Sequence, residues 1–475
     1  MTLPTIPILR FGKPYESLDT TTLRDPRNGN PIANIGMANA GLVRRDVRKA
    51  VDAADVLRAI PSQTYFNICS KAAEHFMSDD LELAPGLTQS PQQYVEQLST
   101  TSGLPHVLCR RNMGKIQTVM QSMETIVRGL TRGLSNTVLD DGMGEHDGVP
   151  VCYHATTDAL GVVLPSNSPG VNSIWLPSVA LKTPVILKPG REEPWTPLRM
   201  IAAMVKAGCP REAFGFYPTD HEGADAIMTN CGRAIIFGDD KTLKRYAGNP
   251  AINLHGTGRS KVLIGEDVID DWESLLDLLV SSIAENGGRS CINASCIMVP
   301  RHGDAIADAL AQHLAKIEPR PADDEQSQLS AFANPAFAEY IDGAIEDGLQ
   351  TPGAEDITAR YRTDVRKTTL DDWTFLRPTL IRCQAMDHPL ANTEFLFPFA
   401  SVVEVPQDQM LDQIGHSLVV SAITEDKQFI DSLLACPLID RLNIGRMPTC
   451  RVDWDQPHEG NLFEFLYRRR AIAYA

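Results

Sequence analysis

No segment of this chain is apolar for long enough to cross a bilayer as an uninterrupted helix. Its most apolar stretch, Gly161 to Leu187, is broken by Pro165, Pro169, Pro177 and Pro184. The first residues, MTLPTIPILRFGKPYE, show no apolar run followed by a small-residue cleavage site, so no signal peptide is expected. Positive charge is also in short supply: 44 lysines and arginines stand against 60 aspartates and glutamates, a formal charge of −16. A field of that sign repels nucleic acid and anionic lipid, so neither a nucleic-acid nor a membrane partner is expected. The ten cysteines lack paired spacing, which points to reduced thiols and a cytoplasmic location rather than a disulfide framework.

Metal motifs are missing too. Cys291 and Cys296 are spaced wrongly for a CxxC pair, and His221-Glu222 and His458-Glu459 lack a second histidine four residues after the first. No metal is therefore expected. Gly256 and Gly258 lack a third glycine at the spacing of a dinucleotide fingerprint. There is no internal repeat and no low-complexity segment.

What is present is a chain of 475 residues, too long for one compact core and sized for two or three domains. Up to about Ser135 the pattern reads as mostly helical, through Asp46–Ala54, Tyr65–Phe76 and Met113–Leu130. Gly142 to Gly148, flanked by Val138 and Val149–Tyr153, reads as a β-hairpin arm. From Leu160 short apolar runs (Gly161–Leu164, Val185–Leu187, Ala213–Phe216, Ala234–Phe237, Ile252–Leu254) alternate with helical stretches. This is the rhythm of parallel βαβ units, whose ligands sit beyond the carboxyl ends of the strands. A second alternating region runs from Lys261–Ile264 to about Gly445, with Trp272–Ala284 as a helix and Ser295–Val299 as a strand. The tail holds Leu462–Leu466, either a surface helix or a contact with a neighbouring subunit.

Four segments carry chemistry. In Glu285-Asn-Gly-Gly-Arg-Ser-Cys291 a helix runs into glycines that allow a tight turn and leave amides near the sulfur. Such amides, or Arg289, can lower a thiol pKa and stabilise an oxyanion; a buried structural cysteine is the plain alternative. The strand Leu160–Leu164 leads into Pro165-Ser166-Asn167, where the asparagine can donate to a substrate oxygen or merely serve a turn. A strand ending at Lys188 can bring its cation to a ribose or phosphate, or simply leave it on the surface. Glu394, beside an aromatic-proline turn, is either functional or a solvated glutamate.

In order and spacing, these four segments resemble the aldehyde dehydrogenase superfamily from about Leu160 to Phe399. The resemblance implies an α/β fold: a Rossmann-type dinucleotide-binding domain (1–130 and 157–258), a second α/β catalytic domain (259–447), and a β-hairpin oligomerisation arm with its tail (131–156 and 448–475). It implies Cys291 as nucleophile, Asn167 as oxyanion donor, Lys188 on the adenosine ribose and Glu394 on the nicotinamide ribose. Pro165, Ser166, Phe237, Gly238 and Arg191 complete the expected cofactor contacts, for NADP or NAD. A homodimer or homotetramer is implied as well. Trp175, Phe397 and His458 are open to reading as acyl-tunnel lining or as packing.

The departures from the family bear on the reaction. Where the family's general base is a glutamate, this chain has His255. Arg191 stands where many NAD-using relatives carry a glutamate for the ribose 2′-hydroxyl. Phe237-Gly238-Asp239-Asp240 replaces the usual Gly-Ser phosphate turn, and the two carboxylates are expected to point away from a pyrophosphate. Superfamily members that use coenzyme A generally lack the glutamate. The expected reaction is therefore interconversion of an aldehyde and an acyl-CoA, with coenzyme A as co-substrate. Hydrolysis with His255 as base is the alternative, because a neutral imidazole serves as a base near pH 7. A non-catalytic nucleotide-binding relative is the third reading.

Overall fold

The computed structural model describes residues 3–362, 364–456 and 460–473, and only the backbone of Asp240. His458 and Glu459 lie outside the described residues. The chain divides into two compact units: Met1–Thr101, Cys109–Gly256 and Asp453–Ala475 form the first, Ser102–Leu108 and Thr257–Val452 the second.

The first unit is built on the parallel strands β1 (Leu160–Val163), β2 (Val185–Lys188), β3 (Phe214–Phe216), β4 (Arg233–Phe237) and β5 (Ile252–His255). They lie in the order β5-β4-β1-β2-β3, followed by the antiparallel hairpin Ile8–Arg10 and Lys13–Tyr15. LGVV, VIL and FGF are apolar without alternation because these central strands are covered on both faces. The chain runs outward from β1 through β2 to β3, then returns to the other side of β1 as β4. That reversal opens a crevice at the carboxyl ends of β1 and β4.

From Ala40 to Leu130 the amino-terminal region is mostly helical, as its pattern reads, and it departs from that reading only before Ala40. Five short strands lie between Thr5 and Gly36, three of which (Thr5–Ile6, Thr20–Arg24, Pro31–Gly36) form a small separate sheet. Runs such as TTTLR are too short and too polar to show a period, yet their β-branched threonines suit a half-exposed pleat. Helices begin only at Ala40. The hairpin Met143–His146 and Val149–Ala155 does form, with its turn at Asp147 and Gly148, both left-handed (φ 50° and 78°) as a tight hairpin requires. The tail is not a plain surface helix. Phe463 and Leu466 of the helix Leu462–Leu466 are buried within this unit, and Tyr467–Arg470 then adds a strand to the hairpin.

The second unit holds β6 (Ser260–Ile264), β7 (Ala294–Val299), β8 (Thr379–Cys383), β9 (Phe399–Glu404), β10 (Ser417–Ile423) and β11 (Ile439–Ile444). Their parallel order is β8-β9-β7-β6-β10-β11, and Ala354–Asp356 pairs antiparallel at the β8 edge. Both faces are packed. Leu279, Ile283, Ile306 and Leu310 cover one, and Ile341, Ile345, Met410 and Phe429 belong to the core on the other. Helix α1 (Leu276–Ala284), preceded by the 3-10 turn Ile269–Leu275, precedes the cysteine segment. Among the described residues no helix is long and apolar enough to cross a membrane.

Candidate active site

In the first unit the expected residues gather along one edge of the sheet. β1 ends at Val163 and runs into Pro165, Ser166 and Asn167; β2 ends at Lys188, β4 at Phe237 and β5 at His255. All of them lie at carboxyl ends, and the β1 and β4 loops flank the reversal. The Ser166 hydroxyl accepts the Glu192 amide at 3.2 Å, tying the β1 loop to the one after β2. Gly190 permits this approach, since a Cβ there would lie 2.4 Å from Ser166 Oγ and 2.5 Å from the Pro165 carbonyl oxygen. Burial lowers the Lys188 ammonium from its ordinary value; Glu192 partly restores it and Arg191 adds to the lowering. Arg191 itself is exposed.

His255 stands beside Phe237 in the β4–β5 register, and the two rings stack with centroids 4.7 Å apart and planes at 28°. Asp239 turns back to accept the Thr242 amide at 2.8 Å, capping the short helix Asp240–Lys244. That hydrogen bond holds its carboxyl below the usual range. A carboxylate of the chain has thus taken the place an anionic ligand would want on this helix. The rest of the edge fits a dinucleotide: a half-buried cation, a glycine-lined cradle and the crevice at the reversal.

In the second unit the chemistry lies at the opposite kind of edge. Cys291 precedes β7, Gly258 and Arg259 precede β6, and Glu394 precedes β9, so all sit at amino ends of parallel strands. Helix α1 stops at Ala284, and Asn286, Gly287 and Gly288 are left-handed, with φ between 55° and 67°. Gly288 must be glycine on space as well, because a Cβ would meet the backbone between Phe397 and Pro398 at 2.3 Å. Asn293 then organises the loop. Its Nδ2 donates to the carbonyls of Ser282 (3.2 Å) and Glu285 (3.1 Å), satisfying helix-end acceptors, while its Oδ1 accepts the Ser290 amide (2.9 Å).

The Cys291 carbonyl accepts the Ser260 hydroxyl at 2.8 Å and lies so near Gly258 that a Cβ there would sit 1.9 Å from it. Cys291 is half-buried, whereas seven of the ten cysteines are fully buried. Glu394 Oε2 accepts the Arg259 amide at 2.6 Å. Burial pushes this carboxyl up to about 7, against the pull of the Arg259 and Gly258 amides and the charges of Arg259 and Lys261.

The Arg289 guanidinium is buried over the Phe332 ring and donates to the carbonyls of Ser102 (2.9 Å) and Ala331. Trp175 is fully buried, donates to Asn172 Oδ1 at 3.0 Å and meets Phe214 edge-on, so it belongs to the first unit's core. Phe397 is core in the second, packed with Phe395 and Phe399. Full burial of such rings contributes about 2–3 kcal/mol each, which is reason enough for their presence. The sequence reading missed Gly258, Ser260, Lys261 and Asn293; a glycine in Gly256-Thr257-Gly258 with no fingerprint to serve was the one available signal.

The profile of the aldehyde dehydrogenase family matches residues 14–414. The chain belongs to this family. Within it, the malonate-semialdehyde dehydrogenase of Listeria monocytogenes is 22% identical over 281 residues, 56% of this chain and 54% of that protein. The chain thus spans about half the length of the curated relatives it matches. An aldehyde dehydrogenase from Pseudomonas aeruginosa has the same fold, with a TM-score of 0.79 at 15% identity, covering 99% of this chain and 97% of the other. An aldehyde dehydrogenase from Bacillus cereus, solved with NAD+, gives a TM-score of 0.76 at 16% identity over 98% and 96%. This aldehyde dehydrogenase family member therefore carries its candidate residues on two sheets, at carboxyl ends in one and amino ends in the other.

Proposed function

We propose that this chain is an NAD(P)-dependent aldehyde dehydrogenase that exchanges its acyl group with coenzyme A, in either direction. The observation that carries the reading is the imidazole of His255, stacked flat on Phe237, where the family's water-activating carboxylate would stand. The Cys291 thiolate adds to the aldehyde carbon, and the C=O π pair moves to oxygen. Asn167 and the Cys291 amide serve as donors to that oxyanion. Lys188 and the Pro165–Ser166 and Phe237–Gly238 turns hold the dinucleotide, which when bound supplies the two-electron acceptor. The oxyanion pair re-forms C=O as the C–H bond breaks and its hydride leaves to that acceptor, so the carbon stays on Cys291 as a thioester. The coenzyme A thiolate then forms the new C–S bond, and the Cys291 bond breaks with its electron pair returning to sulfur. Weak activation of water protects the thioester until coenzyme A arrives.

Hydrolysis is the second reading, favoured by the basicity of the same imidazole. One experiment separates the two: an aldehyde panel with and without coenzyme A, each against NAD and NADP. Coenzyme A is expected to speed acyl-enzyme breakdown about tenfold or more, and Arg191 to permit NADP. Breakdown at one rate with and without coenzyme A, with carboxylate as product, would overturn the acylating reading. Strict NAD use would overturn the role given to Arg191.

A further inference from the structure

One lysine near the thiol segment is used by nothing described so far. Lys261 is fully buried in β6, opposite Cys296 of β7 and Val420 of β10. A buried ammonium is costly unless its hydrogens are taken up. Its Nζ donates to the Arg259 carbonyl at 2.7 Å and to Ser417 Oγ at 2.9 Å. Arg259 is left-handed (φ 45°), a conformation that a non-glycine residue adopts only at a cost. That residue is gripped on both sides, its carbonyl by Lys261 and its amide by Glu394 at 2.6 Å.

We propose that Lys261 is a positioning residue for the dinucleotide: through Arg259 it holds the Glu394 carboxylate ready to accept from a ribose diol. This rests on the ribose role given to Glu394 by the family reading. The electrostatics agree. Burial lowers Lys261 to about 8, opposed by Cys296 and Glu394 and reinforced by Arg259. Lys261, Arg259 and the Gly258 amide in turn favour the ionised Glu394, whose burial sets it near 7. Only the ionised carboxylate accepts from both hydroxyls, so affinity falls as pH drops through that value. Taking away the lysine charge moves the fall to higher pH.

The test is equilibrium titration with NADH, read by fluorescence between pH 6 and 9, on wild type, Lys261→Met, Lys261→Arg and Glu394→Gln. Lys261→Met is expected to raise the midpoint by about one unit, roughly fivefold weaker binding at pH 7, with Lys261→Arg restoring it. A Lys261→Met midpoint equal to wild type overturns the proposal. Should that variant not fold, Ser417→Ala removes one acceptor of the same ammonium. It is expected to shift the midpoint too, and no shift overturns the proposal equally. If Glu394→Gln keeps wild-type affinity and pH profile, the ribose role of Glu394 fails and the proposal falls with it. Absence of NADH binding by wild type would instead sink the cofactor reading itself.

Discussion

The two sheets of this chain are both largely parallel and seven-stranded, yet they offer chemistry from opposite edges. At the carboxyl edge of the first, loops leave strands to enter helices: the turn after Pro165–Asn167 has no side-chain cap, while Asp239 caps the helix after Phe237. The uncapped turn suits phosphates. At the amino edge of the second, loops arrive from helix carboxyl ends, where unused groups are carbonyls and the dipole disfavours an anion. A thiolate is badly served there. The chain answers with Asn293, whose amide occupies two of those carbonyls, and with left-handed residues that turn the backbone before Cys291. The difference teaches that the Cys291 segment at an amino edge depends on backbone closeness, while the carboxyl edge offers loops that the topology itself provides.

The comparison can be broken one edge at a time. Cys291→Ala should have the largest effect, cutting turnover by at least about 10⁴-fold while leaving dinucleotide affinity unchanged. Retained turnover would remove Cys291 as nucleophile. Gly258→Ala comes next, because its Cβ would lie 1.9 Å from a backbone oxygen that must then move. We expect about 100-fold lower kcat and slower iodoacetamide alkylation of Cys291. Normal alkylation would show that the amino edge tolerates displacement. Gly190→Ala, its counterpart on the first sheet, meets the Ser166 hydroxyl and the Pro165 carbonyl. About tenfold weaker NADH binding is expected, with alkylation of Cys291 as in wild type. Loss of thiol reactivity there would mean that the two edges are not separable.

Much of the first sheet was legible because its strands are apolar runs alternating with helical stretches, a pattern set by local burial. The opening strands were not, since Thr20–Arg24 and Pro31–Gly36 are stabilised by pairing with each other rather than by a period of their own. Cys291 stood out through its glycines, Asn167 and Lys188 through their places at strand ends, and His255 only through the resemblance to the family. Arg289 reads in the sequence only as a charge beside a cysteine; that its guanidinium also binds the Ser102 and Ala331 carbonyls needed the fold.

By itself the sequence determined where strands and helices alternate, and hence the doubly wound sheet, because burial on both faces writes that pattern locally. It also determined which residue types stand at the strand ends. Only the tertiary structure decided that Lys261 grips the Arg259 carbonyl, that Asn293 satisfies the end of helix α1, and that Gly258 lies against Cys291. Those relations join strand, loop and helix across the fold. They exist only once the chain has closed on itself and each buried polar group has had to find a partner.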